Sequence, residues 1–295
     1  MRASSLRPCI RTESNLLKTP DLAEPNPPAS CPAAPSAMAV VRVFRTRGLP
    51  ILRQLMIEEA LLRAHDGNWL VLNDGCRDPA VVLGISGQPE ALVHTADARA
   101  AGVQLIKRFS GGGTVVVDSN TVFSTLIFQQ QALPEVPAFP QPIMEFTGDL
   151  YGDVFATLER DPARVPRTAR SAASDRATQF QLRQNDYTWG ERKVGGNAQA
   201  ITKFRWLHHT SFLWEYRRDR MALLKEPSKR PEYRGERTHR AFLCPLASLG
   251  FHRQEFLEGI EDAMVARGFE LQLASAEEVE DVLERDHLRI TKLLE

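Results

Sequence analysis

The sequence predicts an α+β fold in which a mixed, largely antiparallel sheet is covered by packed helices. Three observations lead there. Amphipathic helical stretches are interleaved with short strand pairs rather than alternating one strand with one helix. The longest glycine run, Gly111, Gly112 and Gly113, opens into a strand and not a helix, and no internal repeat appears. A dinucleotide turn or P-loop needs a helix behind its glycines and is excluded, and a mixed sheet fits the order of elements better than a doubly wound parallel one, which needs the one-to-one alternation.

Taken in order, Ile51, Leu52, Leu55, Met56, Ala60 and Leu62 recur with helical spacing behind Pro50, which suits a first-turn position. WLVLN from Trp69 and AVVLG from Ala80 are two β-rich runs separated by Asp74, Gly75, Asp78 and Pro79, a strand, turn, strand pattern. A short helix near 96–101 leads to VQLIKRF, and 114–128, dominated by Val, Thr, Phe and Ile around Asp118, Ser119 and Asn120, reads as a hairpin. The Gln- and Pro-rich stretch 129–142 is loop. Ile143, Phe146, Leu150, Val154, Phe155 and Leu158 then share one helical face. The stretch 161–178, arginine, alanine and serine without periodicity, is expected to be a mobile insertion. Strands recur at 186–189, from Lys193 onward, with Gly190 and Glu191 as the turn between them, and at 211–214. Phe256, Leu257, Ile260, Ala263 and Met264 form a helix closed by Gly268; FELQL is a strand; Ser275 with Glu278 makes a capping box for a last helix.

With 37 basic and 37 acidic residues the chain has no overall bias toward nucleic acid or an acidic membrane, and no run reaches the apolar length of a bilayer span. Residues 1–38 hold seven prolines, many Ala and Ser, and no apolar face. They read as a disordered leader or a targeting segment, with Arg2, Arg7 and Arg11 pointing to the mitochondrion and plastid or cytoplasm as alternatives. Residues 39–295 are expected to form one domain, without a separate C-terminal accessory domain. Cys9, Cys31, Cys76 and Cys244 have neither metal-ligand nor redox spacing, which favours a reducing compartment and buried structural thiols at Cys76 and Cys244.

Two segments carry the chemistry, KRFSGGGTVVVDSNT at 107–121 and ERKVGGNAQ at 191–199. Three consecutive glycines destabilise ordered backbone by up to about 1 kcal/mol each relative to alanine, a cost tolerated where the chain turns tightly or a ligand leaves no room for a Cβ. Arg108 ahead of them can fork onto phosphate oxygens. Lys193, two residues before Gly195 and Gly196 and followed by Asn197 and Ala198, can place a point charge on an acyl phosphate where charge builds during nucleophilic attack. The pair reads as an acyl-activating or acyl-transferring site. His208 and His209, as strand neighbours, point to opposite faces and have no third ligand spaced with them, so a protein-held metal is not expected. The basic run 217–240 reads either as a solvated face or as a dock or closing loop.

In order along the chain, AVVLG, RFSGGGTVVVD, RQNDYTWGERKVGGNAQ and LHHTSFL also resemble the motifs of the lipoate-protein ligase A and lipoyltransferase family of the biotin/lipoate ligase superfamily, over about 50–249. Lys107, Arg108, Ser110, the three glycines, Asp118 and Asn120 match its basic, Ser-Gly-Gly-Gly and Asp motif, with one residue fewer between Asp118 and Asn120. RKVGGNA at 192–198 matches its lysine motif, and Asn185 with Asp186 its Asn-Asp pair. Thr210 stands where a glycine usually follows the histidine doublet. The resemblance implies a biotin/lipoate ligase-like catalytic domain. Arg108, Gly113, Thr114, Val115, Val116 and Lys193 would bind ATP or the adenylate, with Lys193 also catalytic. Gly111, Gly112, Gly196, Asn197 and Ala198 would lie along the acyl group, and Asn185, Asp186, Asp118 and His209 would support them. It implies ATP with substrate-borne Mg2+, lipoate as substrate, and lipoyl domains of 2-oxoacid dehydrogenase complexes or the glycine cleavage H protein as acceptors, with a separate accessory subunit as a further partner. A Gly-Arg-Gly-Arg loop, the mark of the biotin branch, is absent. The alternatives are an octanoyl or lipoyl transferase working from a thioester or amide through a cysteine, and a non-catalytic lipoate- or adenylate-binding subunit.

Overall fold

Hydrogen-bonded pairing sorts the strands into two sheets. The computed structural model describes residues 38–160, 180–226 and 230–294, so the leader other than Met38 and the expected insertion at 161–178 lie outside the described residues. The larger sheet runs β11 (Glu270–Leu273), β1 (Val40–Gly48), β2 (Asn68–Cys76), β6 (Thr121–Gln129), β10 (Arg205–Leu213), β9 (Arg192–Ile201), β8 (Asp186–Trp189), β7 (Phe180–Arg183). β1 is parallel to β11 and β2; every other neighbouring pair is antiparallel. The smaller sheet runs β12 (Lys292–Leu294), β4 (Gln104–Lys107), β3 (Ala80–Leu83), β5 (Val115–Val117). The central strands β2, β3, β6 and β10 are buried almost throughout.

Helices α2 (Pro140–Arg160) and α3 (Arg253–Ala266) cover one face of the large sheet, joining Leu70, Leu126, Phe128, Trp206 and Phe212 in one apolar cluster. On the other face α1 (Ile51–Ala64) and α4 (Ala276–Glu284) bury Trp69, Val71, Ile127 and Leu207. The small sheet meets the first two turns of α1 through Ile51, Leu55, Val82, Ile106 and Val117, with Phe123 of β6 joining the cluster. At about 25 cal/mol per Å2 of apolar surface removed from water, these interleaved clusters are the dominant stabilising term.

Two expectations are corrected. The runs at 69–84 are both strands but not a pair: β2 joins β1 and β6, whereas β3 joins β4 and β5. Likewise 114–128 is not a hairpin, because β5 and β6 lie in different sheets and the turn at 118–120 carries the chain between them. Composition marks a strand but says nothing of its partner. Pro50 sits just before α1 rather than inside it, its carbonyl accepting the Gln54 amide at 3.0 Å. The capping box is present, with Ser275 Oγ accepting from the Glu278 amide at 3.2 Å and Glu278 Oε2 accepting from the Ser275 amide at 3.0 Å. β1, β7 and β12 were not anticipated. In β1, Arg42 lies between the buried Val41 and Val43 but on the opposite face and reaches Glu278, while Arg45 continues the valine face and reaches Glu261.

Candidate active site

The pairing of β8 with β9 contains a bulge: Tyr187 opposes Gly195, yet the next residue, Thr188, opposes Lys193. The extra residue puts Val194 and the missing Cβ of Gly195 on the same side, facing the aromatic cluster of Tyr187 and Phe212. Lys193 and Gly196 are thereby aligned on the opposite side, where a Cβ on Gly196 would lie 3.7 Å from Lys193 Nζ. Alternation resumes beyond the bulge, and His209, Ser211 and Leu213 of β10 line the same side.

That side faces a cavity of about 920 Å3. Its inner wall is apolar, built by Ile51 and Leu55 of α1, Val82, Val115 and Val117 of the small sheet, and Phe123 of β6. Its rim includes the exposed Gly112, Gly113, Gln184, Asn185 and Ile201. The glycine loop crosses above β9: the Gly111 amide donates to the Gln199 carbonyl at 3.4 Å, and a Cβ on Gly112, whose φ is +102°, would lie 3.2 Å from the Asn197 carbonyl oxygen and 2.8 Å from the Arg108 guanidinium. On its other side the loop meets the chain leaving β3, where a Cβ on Gly84 would lie only 2.4 Å from the Gly112 carbonyl oxygen, so this close approach needs glycine as well.

Arg108 is buried and holds the loop from beneath, donating to the Gly111 carbonyl at 2.7 Å and the Gly113 carbonyl at 2.8 Å. Burial lowers its pKa to about 10, so it stays cationic at neutral pH. In this structure its fork is spent on the loop's own carbonyls, and its charge reaches the cavity from behind them. The Thr114 hydroxyl, also on the wall, is buried without a protein hydrogen-bond partner.

Lys193 Nζ lies 2.5 Å from Asp186 Oδ1, and Tyr233 donates its hydroxyl to Asp186 Oδ2 at 2.8 Å. Asn185 contributes its carbonyl to the Asn197 side-chain amide at 2.7 Å. The basic run is more than a solvated face. Arg230, Arg234 and His239 line the cavity, and Glu226 behind them accepts from Arg234 at 2.6 Å and lies 3.2 Å from His239 Nδ1. Burial, partly offset by Glu226, lowers the His239 pKa.

The two histidines divide as strand alternation requires. His208 faces α2, 2.9 Å from the Tyr187 hydroxyl and 3.1 Å from the Gln199 side-chain amide; complete burial, with His209 beside it, lowers its pKa to about 3. His209 faces the cavity, its Nδ1 3.0 Å from both oxygens of the fully buried Glu58 and 3.1 Å from Thr125. Among the described residues, no three His, Cys, Asp or Glu gather to hold a metal ion.

Lys193, Arg108, the three glycines, Thr114, Val115, Val116, Gly196, Asn197, Ala198, Asn185, Asp186 and His209 therefore all border one cavity. Asp118 does not. Its carboxylate accepts the Asn120 amide at 2.7 Å and its carbonyl the Thr121 amide at 3.1 Å, so it shapes the crossing between the sheets. Cys76 and Cys244 are fully buried and do not line the cavity; burial pushes the Cys76 thiol up to about 12 and raises that of Cys244. Neither has the exposure or the lowered pKa that a thiolate nucleophile needs. Sequence reasoning missed Ile51 and Leu55 as cavity wall, Glu58 as the partner of His209, and Tyr233; an aromatic inside an otherwise basic run was the one available signal for the last.

A family model described as the lipoyl protein ligase A/B catalytic domain matches residues 50–265. A Plasmodium falciparum (isolate 3D7) protein named inactive lipoate–protein ligase 2 is 26% identical over 231 residues, 65% of this chain and 60% of that protein, so the chain spans less than two thirds of this relative. Among solved structures, lipoate-protein ligase A bound with ATP superposes with a TM-score of 0.62 at 17% identity, covering 83% of this chain and 92% of that one. The bi-partite lipoate protein ligase of Thermoplasma acidophilum, from a study that includes its E2 lipoyl domain, gives 0.63 at 16%, covering 83% and 91%. A Thermoplasma acidophilum protein with bound lipoic acid gives 0.60 at 16%, covering 83% and 93%. At such identities these likenesses establish the fold. With the family model matching most of its length, the chain belongs to the lipoyl protein ligase A/B catalytic-domain family.

Proposed function

We propose that this chain is a lipoate-protein ligase or lipoyltransferase, activating lipoate as lipoyl-AMP and passing the lipoyl group to a lysine of an acceptor domain. The observation that carries the reading is the single cavity onto which the Lys193 ammonium and the Gly111, Gly112 and Gly113 loop both open, with an apolar inner wall behind them. A lipoate carboxylate attacks the α-phosphorus of ATP and pyrophosphate leaves; the acceptor ε-amine then attacks the acyl carbonyl, AMP leaves and the amine proton goes to solvent. The chain works by position and charge. Ile51, Leu55, Val82 and Phe123 take the alkyl chain, Lys193 meets charge developing on the acyl phosphate, and the Thr114 hydroxyl offers an unused hydrogen-bonding group to the nucleotide. A Mg2+ ion travelling with the ATP phosphates fits a wall on which Asp186 is the sole carboxylate among the described residues.

The acceptors proposed are lipoyl domains of 2-oxoacid dehydrogenases or the glycine cleavage H protein, and the location proposed is the mitochondrion. The bi-partite make-up of the Thermoplasma ligase supports proposing a separate accessory subunit here too. The name of the Plasmodium relative favours a second reading, a chain that binds lipoate or its adenylate without turning it over.

Incubation with ATP, lipoate and an apo lipoyl domain, following pyrophosphate and acceptor mass separately, discriminates between them. Both products are expected; acceptor modification only when lipoyl-AMP is supplied keeps transfer without activation, and lipoate binding with neither pyrophosphate nor acceptor modification leaves only the binding reading. Lys193→Ala should lower transfer by about a hundredfold or more with an unchanged circular dichroism spectrum, and an active variant would contradict the role given to this lysine.

A further inference from the structure

Tyr233 lies outside every motif recognised in the sequence, yet its hydroxyl touches the carboxylate that holds Lys193. Asp186 is divided between two donors: Tyr233 Oη on Oδ2 at 2.8 Å and Lys193 Nζ near Oδ1 at 2.5 Å. Free carboxylates turn readily about their terminal torsion, and a donor fixed on one oxygen stops that rotation and sets the direction of the other. Tyr233 is such a donor. Its ring lies under the Arg183 guanidinium at 4.8 Å and against Phe242 at 5.3 Å. The Lys193 backbone is held by its pairing with Thr188 and by a bridge to Leu243 on the other side, where its carbonyl accepts the Cys244 amide at 2.8 Å, so what remains to be fixed is the side chain, and Asp186 is the partner that meets its ammonium.

We infer that Tyr233 is a positioning residue, whose hydroxyl acts through Asp186 to fix the place of the Lys193 ammonium in the cavity. Burial and the neighbouring Asp186 charge push the phenol well above its ordinary pKa, so the group remains a donor across the working pH range. The kinetic consequence rests on the ligase reading; the geometric one does not.

Tyr233→Phe keeps the ring and its stacking and removes only the hydroxyl. The expected result is a fall of about tenfold in kcat for acyl transfer with KM for lipoate changed by less than about twofold. In an Asp186→Ala background the same substitution should change kcat by less than about twofold. Additive losses, or a Tyr233→Phe enzyme equal to wild type, overturn the inference. A second measurement needs no turnover: acetylation of Lys193 by acetic anhydride, read by peptide mass spectrometry against the exposed Lys203 of the same molecule. Lys193 labelling should rise about threefold in Tyr233→Phe, and no further when that change is added to Asp186→Ala. A labelling response in a chain that neither releases pyrophosphate nor modifies the acceptor from lipoyl-AMP keeps the positioning role and removes the ligase and transferase reading. Normal pyrophosphate release with labelling that ignores Tyr233 does the reverse.

Discussion

His208 and His209 are adjacent in sequence and serve unlike surroundings, one sealed between β10 and α2, the other facing the cavity on a buried carboxylate. The sealed one has a measurable consequence. Its folded pKa of about 3 lies below the unfolded value of about 6.5, so between the two the unfolded chain takes up a proton that the folded chain refuses. The stability it contributes is fully present above the unfolded pKa and is lost as pH falls toward the folded one. Thermal unfolding should therefore show a drop in Tm from about pH 7 to about pH 5 that is smaller in His208→Asn than in wild type, once each protein is referred to its own neutral value. That the doublet faces two ways was legible from strand periodicity alone. That Glu58, buried in α1, holds one of the pair was not, since a contact across 151 positions leaves no local pattern.

Turns and bulges decide where the reactive groups point. The turn between β7 and β8 places Gln184 at φ +54°, a left-handed conformation that side chains other than glycine adopt at a cost of about 1 kcal/mol or more. Gln184→Gly should raise stability by about 0.5–1 kcal/mol in urea unfolding, and a fall instead would mean that the side chain stabilises the turn by more than the strain costs. The glycine pair at 195 and 196 was visible in the sequence as a place of close approach. Its actual use, absorbing a bulge that brings Lys193 round to the cavity side, depends on the register with β8, which no strand announces by itself. For the same reason β2, β3, β5 and β6 were legible as strands while their division between two sheets was not.

The stretch leading into β12 ties the small sheet to α1. Glu59, buried in α1, accepts the amides of Ile290 at 3.0 Å and Thr291 at 2.9 Å, which delivers β12 onto the edge of β4 directly before Arg108. Glu59→Ala should cost about 2–3 kcal/mol of stability, and amide exchange should quicken in β12 and β4 before it does in β6. Uniform acceleration would show the tail to be an ordinary part of the core. Residues that reach across the molecule in this way explain why motif-bearing segments could be read in advance while the cavity walls could not. A last consequence concerns Gly75, at φ +80°, where a Cβ would press within 2.8 Å of the Ser119 carbonyl oxygen. Two of the passages between the sheets, from β2 to β3 and from β5 to β6, touch there, the Cys76 amide meeting the Asp118 carbonyl at 3.1 Å. A methyl group at that pivot would prise the layers apart and reshape the cavity from a position outside its lining.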